Sequence, residues 1–269
     1  MINLIVFGAA GRMGKRIVAC AISEKDFRIA GAVEKAGHPD LGRDAMEAAG
    51  EKPGGVPITA DPARALPAGD VVIDFSAGDA VAAHAALCAR EKKPLVVGTT
   101  GLTPEETGAL RRAAQSVPVV FSPNMSVGVN LLFDLAGRVA AALGEEYDVE
   151  IVEAHHRFKA DAPSGTAKKL AETVAAARGV DLAKAGVYGR SGREGARKRG
   201  EIGVHAVRAG DIVGEHTVIF STLGERVELS HRAHSRDTFA RGALRAARFV
   251  LKARPGLYTM RDVLGQKKQ

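Results

Sequence analysis

The chain has 269 residues, 46% of them hydrophobic and 26% charged, and a formal net charge of +7. That is enough length for one large domain or two modest ones, and the composition is that of an ordinary globular protein rather than a disordered or fibrous one. Aromatic residues make up only 4% and no nucleic-acid-binding motif accompanies the positive charge, so no nucleic acid partner is expected. No stretch reads as a membrane span, and Met1-Ile2-Asn3 runs into an apolar strand without a basic leader. A cytoplasmic protein with no signal peptide and no membrane contact is expected. Cys20 and Cys88 lie in helix-like stretches without metal-ligand spacing and read as free core thiols in a reducing compartment.

In chain order, Ile2 to Phe7 is a short apolar run of the kind that forms a buried parallel strand. It meets Gly8-Ala9-Ala10-Gly11-Arg12-Met13-Gly14, followed by a helix with Ile17, Val18 and Ala21 on its apolar face. Strand, glycine loop and helix in that order predict a dinucleotide site. The glycines let backbone approach a pyrophosphate, which sits at the helix N-terminus. The spacing is G-x-x-G-x-x-G, with Ala9 where the usual pattern has its first glycine. Arg28 to Val33 is the next strand. It ends at Glu34, roughly 20 residues past Gly14, where a carboxylate can hold ribose hydroxyls. Glu34 favours NAD by repelling a 2′-phosphate, whereas the adjacent Lys35 can hold that phosphate. The pair predicts that both NADH and NADPH are accepted.

Ala36 to Gly55 reads as a charged, glycine-rich connection. Asp70 to Phe75, Pro94 to Val97 and Val117 to Phe121 are further apolar strands, separated by helices over Ala80 to Arg90 and from Thr103-Pro104-Glu105-Glu106 onward. His84, on the first of these helices, is assigned no role. Small residues follow each strand: Ser76-Ala77-Gly78, Gly98-Thr99-Thr100-Gly101 and Ser122-Pro123-Asn124-Met125. Ligands sit at the C-terminal strand ends of an open α/β sheet. The alternation predicts a Rossmann-type parallel sheet with right-handed crossovers.

Ser126 to Leu143 is a long helix burying Val129, Leu132, Phe133, Leu135, Ala136, Val139 and Ala140. Beyond it the pattern changes to strands at Tyr147–Ala154, Ile202–Val207, Val213–Thr222 and Arg226–His231, which predicts a smaller α+β domain with an open mixed sheet. Such a sheet needs cover, and self-association supplies it. Arg190 to Arg199 reads either as a solvated, mobile loop or as charge that draws in anionic ligands. His231 and His234 fall in a polar turn.

The densest chemistry lies at Glu153 to Ala167, E-A-H-H-R-F-K-A-D-A-P-S-G-T-A. Ser164 is a good N-cap, which leaves the amides of Gly165, Thr166 and Ala167 at a helix start to bind an anion. His155, His156 and Lys159 stand just ahead and can donate protons or carry positive charge. A metal site built on the two histidines and Asp161 is the weaker reading, because a lysine inside the cluster is poor company for a metal. No metal is expected.

The run E-x-H-H-x-x-K-x-D-A-P-S-G-T-A resembles the signature of the dihydrodipicolinate reductase family, and the tail Pro255-Gly256-Leu257-Tyr258-Thr259-Met260-Arg261-Asp262-Val263-Leu264 resembles its C-terminal signature. The resemblance implies NAD(P)H-dependent reduction of 4-hydroxy-tetrahydrodipicolinate, with loss of water, in diaminopimelate and lysine biosynthesis. It implies hydride transfer from nicotinamide C4 to ring C4 of a small dicarboxylate, followed by proton uptake. His155 is then expected as general acid assisted by Lys159, with His156, Gly165 and Thr166 binding substrate carboxylate. Gly98, Thr99 and Thr100 are expected on the nicotinamide side of the cofactor, and Ser122, Pro123, Asn124 and Met125 in a further cofactor loop. A discontinuous dinucleotide-binding domain, residues 1–125 and 236–269, and a substrate-binding and tetramerisation domain, 126–235, are also implied, in a homotetramer joined through the open sheets. Two other readings compete. A non-catalytic NAD(P)-binding sensor needs the glycine loop but not the His-His-x-x-Lys pocket. A different two-domain amino-acid dehydrogenase would lack the Asp161 to Thr166 run.

Overall fold

The computed structural model describes residues 1–266, which divide into two compact units. One comprises Met1–Val127 with the segment from Arg236 onward, and the other is Gly128–Ser235.

The first unit contains strands Ile2–Phe7 (β1), Phe27–Val33 (β2), Ile58–Thr59 (β3), Val71–Asp74 (β4), Leu95–Val97 (β5) and Pro118–Phe121 (β6). The second contains Asp148–His155 (β7), Gly186–Val187 (β8), Ile202–Arg208 (β9), Gly214–Thr222 (β10) and Glu225–Ala233 (β11). The chain then returns to the first unit and adds Gly256–Tyr258 (β12).

The sheet of the first unit runs β12-β6-β5-β4-β1-β2-β3, and every neighbouring pair is parallel. Its central strands read as mostly apolar runs because both faces are covered. Leu4, Val6, Ile73 and Val96 enter one core with the Arg12–Ser23 and Asp237–Val250 helices. Ile5, Phe7, Val72 and Val97 enter a second core with the Gly78–Arg90 and Pro104–Ala113 helices. The latter helix starts where its sequence says it should. Thr103 Oγ1 accepts from the Glu106 amide at 3.2 Å, and Glu106 Oε2 accepts from the Thr103 amide at 2.6 Å. Strands β3 and β12 are only two and three residues long, too short to leave a periodic pattern.

The turn from β1 into the first helix depends on glycine at two places. Gly8 has φ +74°, and a Cβ there would lie 2.7 Å from the Phe75 carbonyl oxygen. A Cβ on Gly14 would lie 2.0 Å from the Gly8 carbonyl oxygen, so the helix can approach the loop only without a side chain.

The second unit has a mixed five-stranded sheet in the order β11-β10-β7-β9-β8. β10 is antiparallel to β7 and β11, while β7, β9 and β8 are parallel. One face packs Val149, Ile151, Val204, Val218 and Phe220 against the Val127–Leu143 and Gly165–Arg178 helices. The expected absence of a membrane-length stretch is corrected here. Val127–Glu146 is a 20-residue helical segment of mean hydropathy 1.4, long and apolar enough by length and composition. Leu132, Ala136 and Ala140 bury one side of it in the core, and a helix with a wide apolar face meets the same criterion. Phe133, Leu135 and Val139 are only partly buried. His231, expected in a turn, lies inside β11 opposite His216.

The Arg190–Arg199 segment is pinned rather than fully solvated. Arg190 Nη1 and Arg197 Nε each donate to Glu150 at 2.9 Å, and the His205 ring lies 2.6 Å from the same carboxylate. Arg197 also donates to Asp148 at 2.6 Å. Burial alone would push the Glu150 carboxyl up, but these donors overcome it and hold it at about 2.

Two consequences are measurable. Gly14→Ala should cost about 1–3 kcal/mol through overpacking, read as a lowered denaturant midpoint with an unchanged m-value. For Glu150, the folded pKa lies below the unfolded value. Its stabilisation is therefore present above about pH 4.5 and lost as pH falls toward 2. Denaturation midpoints of Glu150→Gln should depend less steeply on pH across that window than those of the parent chain.

Candidate active site

The parallel sheet gathers the residues read as cofactor-binding along one edge of the first unit. In register, Phe7 pairs with Val33 and with Asp74, Asp74 with Val97, and Val97 with Phe121. The five strands therefore end in one row, and the segments after them emerge side by side. These hold Gly8 to Gly14, Glu34-Lys35, Phe75 to Gly78, Gly98 to Thr100 and Ser122 to Met125. The sheet order reverses between β1 and β4, which is where a doubly wound fold forms its ligand crevice.

Several details at this edge suit a dinucleotide. The Arg12–Ser23 helix begins after Gly11 with no side-chain cap and no acidic residue in its first turn, so its N-terminal end is left to an anion. Glu34 Oε2 accepts from the Ala10 amide at 3.1 Å, which holds the carboxylate against the glycine loop. A cavity of about 360 Å³ is lined by Gly8, Glu34, Lys35, Ser76, Asp79 and His84, among others. Gly98 must be small, since a Cβ would meet the Phe75 ring at 2.1 Å. Thr99 is buried, and its hydroxyl donates to the Ser76 carbonyl at 3.1 Å; Thr100 is exposed. Ser122 and Asn124 brace their own loop, through Ser122 Oγ to the Asn124 carbonyl at 2.8 Å and the Ser126 amide to Asn124 Oδ1 at 2.9 Å. Met125 is buried and Pro123 exposed, so these two differ in what they can offer a ligand. His84, given no role on sequence grounds, lines the cavity while its Nδ1 lies 2.8 Å from the fully buried Asp74 carboxylate.

The second unit carries the polar cluster. Side chains alternate along β7, so the residues after Val149 and Ile151 on the inward face are Glu153 and His155. Glu153 is fully buried. Its Oε1 accepts from the Ser164 amide at 2.9 Å and from Arg208 Nη2 at 2.8 Å. Its Oε2 accepts from Arg208 Nη1 at 2.8 Å and lies 2.6 Å from His155 Nδ1. Burial would raise this carboxyl, but Arg208, His155 and the Ser164 amide hold it below its ordinary range. His155 is drawn below its ordinary value mainly by burial, with Lys159 and Arg208 adding to the effect and Glu153 opposing it. His216 stacks edge-on against His155 with ring centroids 5.2 Å apart, and burial drives it down to about 3, so it is neutral near pH 7.

Ser164 caps the Gly165–Arg178 helix by accepting from the Ala167 amide at 3.2 Å. Ala167 is therefore removed from the set of amides expected to be open at this helix start. Nothing stands within 4 Å of where a Gly165 Cβ would lie, so the helix tip faces open space. Lys159 Nζ pairs with Asp161 at 2.8 Å, and the amide of Lys159 donates to the His156 carbonyl at 3.1 Å. The Nδ1 atom of half-buried His156 is buried without a hydrogen-bond partner. Among the described residues, no group of three His, Cys, Asp or Glu is placed to hold a metal ion.

In the sequence Glu153 reads only as the first residue of the signature, without a role, and Arg208, Gly214 and His216 are not singled out. Alternation on β7 places Glu153 two residues before His155 on the same face. Arg208, Gly214 and His216 reach the cluster only because β9 and β10 flank β7.

Known proteins share this organisation over the whole chain. A family model described as the N-terminus of dihydrodipicolinate reductase matches residues 2–125, and one described as its C-terminus matches residues 128–264. A 4-hydroxy-tetrahydrodipicolinate reductase of Syntrophus aciditrophicus is 51% identical over 265 residues, which span 98% of this chain and 99% of the relative. The enzyme of that name from Anaeromyxobacter sp. strain Fw109-5 is 53% identical, with 98% of each chain covered. Among solved structures, a dipicolinate-bound dihydrodipicolinate reductase from Paenisporosarcina sp. TG-14 superposes with a TM-score of 0.75 at 25% identity, over 96% of this chain and 97% of the other. An amine dehydrogenase from Mycobacterium smegmatis, with a TM-score of 0.59 at 15% identity over 96% and 95% of the two chains, shares the fold alone. With the two matched models together spanning nearly its full length, the chain belongs to the dihydrodipicolinate reductase family.

Proposed function

We propose that this chain reduces 4-hydroxy-tetrahydrodipicolinate to tetrahydrodipicolinate, with loss of water, in diaminopimelate and lysine biosynthesis. The observation that carries the reading is the cluster on β7. An imidazole and the helix start are tied together through Glu153 and Ser164, a lysine paired with Asp161 stands in the loop between them, and chemistry on a small dicarboxylate needs all three. A pyridine nucleotide suits the first unit, because the uncapped helix after Gly11, the Gly8 and Gly14 cradle and the Glu34 carboxylate match its pyrophosphate and ribose. Gly8, Ala9, Ala10, Gly11, Arg12 and Met13 hold its phosphates. Glu34 and Lys35 take the adenosine ribose and admit both NADH and NADPH. Gly98, Thr99, Thr100 and the loop Ser122, Pro123, Asn124 and Met125 serve the nicotinamide end. When bound, the nicotinamide supplies a hydride to ring C4 of the dehydrated substrate.

The remaining work belongs to the protein's own groups. Gly165 and Thr166 at the helix tip, with His156, bind substrate carboxylate. Lys159 fixes positive charge where electron density builds up on the ring. His155 delivers a proton to the ring carbon next to the reduced one. His155 is drawn low by burial and is therefore mostly neutral near pH 7. A bound dianion opposes that effect and favours the protonated ring. The exposed side chains Val207, Val227 and Leu223 in the second unit supply apolar surface for assembly into a cytoplasmic homotetramer.

The direct test is nicotinamide absorbance in the presence of enzymatically generated substrate, run with NADPH and then with NADH. No turnover with either would favour the sensor reading. Replacement of His155 by Gln should lower kcat on the order of 10²-fold or more with a smaller change in KM. Turnover close to that of the parent chain would remove the acid assignment. Lys159→Ala should weaken both turnover and substrate affinity. Because the acid must carry its proton, kcat/KM should fall as pH rises through the lowered His155 pKa, with the alkaline limb below the ordinary histidine value of about 6.5. The limb for kcat should lie at higher pH.

A further inference from the structure

A fully buried carboxylate is costly unless donors surround it, so the surroundings of Glu153 call for an explanation beyond packing. Each of its oxygens accepts two hydrogen bonds. Oε1 takes Ser164 N–H and Arg208 Nη2, and Oε2 takes Arg208 Nη1 and His155 Nδ1. The arginine fork grips both oxygens, which fixes the plane of the carboxylate. An ionised carboxylate accepts only, so the His155 nitrogen that faces it must carry hydrogen. That leaves Nε2 as the nitrogen that gains and loses a proton. Its outlook is set by Gly214 on β10, where a Cβ would stand 3.1 Å from His155 Nε2. With hydrogen in place of a side chain, β10 can pass beside that edge of the ring without a Cβ crowding Nε2.

We propose that Glu153 is a positioning residue that locks His155 in the Nδ1–H form, so that Nε2 delivers the proton, and couples this ring to the carboxylate-binding helix tip through Ser164. Arg208 holds Glu153 in that role, and Gly214 spares Nε2 a crowding Cβ. The inference rests on His155 being the acid. Groups facing His155 come from every element around it: Glu153 on its own strand, Arg208 on β9, His216 on β10 and Lys159 in the following loop. Of these only Glu153 favours the protonated ring, and neutral His216 adds no counter-charge. Removing the negative charge therefore leaves His155 beside cations alone.

The test uses the full-length protein with ¹⁵N-labelled histidine, assigned by loss of the His155 signals in H155Q. In the parent chain the neutral His155 ring should show the Nδ1–H tautomer; an Nε2–H tautomer overturns the proposal without any variant having to fold. In Glu153→Gln, kcat should fall on the order of 10²-fold, KM should rise by less than kcat falls, and the alkaline limb of kcat/KM should move to lower pH. An unchanged kcat and an unmoved limb in folded E153Q also overturn it. H155Q separates the two layers. Full turnover in H155Q defeats the acid reading itself, whereas inactive H155Q beside fully active E153Q defeats only the positioning role.

Discussion

The second unit depends on one buried negative charge. Glu153 hydrogen-bonds β7, β9 and the start of the Gly165–Arg178 helix together at the polar end of the sheet. Apolar packing explains why Val149 and Ile151 point inward, but it does not explain why the next inward position is a carboxylate. The donors do: a bidentate arginine, a backbone amide and an imidazole together replace the solvation that burial removes. The same arrangement makes the local geometry stiff. The ring proposed as the acid and the helix start proposed to bind an anion share one anchor, so neither can drift without straining the other.

The first unit solves a different problem with less specialised means. Its site is a row of strand ends, brought level by a parallel register and opened where the sheet order reverses. Few of the side chains there carry chemistry. What matters is missing bulk, at Gly8, Gly14 and Gly98, and open backbone at the Arg12–Ser23 helix start. The proposed choice between nucleotides rests on two neighbours of opposite charge, half-buried Glu34 and exposed Lys35. The division between a backbone-built nucleotide site and a side-chain-built acid site follows from what each ligand offers. A pyrophosphate is read well by amides, whereas a proton must be held by a group whose ionisation can be tuned.

Much of this was legible in the chain before folding. Apolar runs such as Leu4–Phe7, each followed by small residues and a helix, specify a parallel sheet because only strands buried on both faces have that composition. Alternation from Tyr147 onward marks a sheet with one wet face. Ser164 and Thr103 announce helix starts by chemistry that acts within four residues, and both caps are present. What went unread, or was misread, shares a cause. Strands β3 and β12 are too short to carry a period. The Val127–Glu146 segment is long and apolar enough to pass for a span, since composition does not say what an apolar face packs against. Arg190 and Arg197 looked free until β7 supplied Glu150 as their partner.

The sequence by itself determined the local vocabulary: which segments are strands or helices, where glycine frees the backbone, and that two histidines and a lysine precede a capped helix. Those features are set by interactions between residues a few positions apart. Tertiary structure alone decided that Glu153 is buried, that Arg208 grips it from 55 positions away, and that Gly214 lies where a Cβ would crowd His155 Nε2. Ionisation depends on burial and on charges brought close by chain reversal, and neither quantity exists until β9 and β10 have paired beside β7.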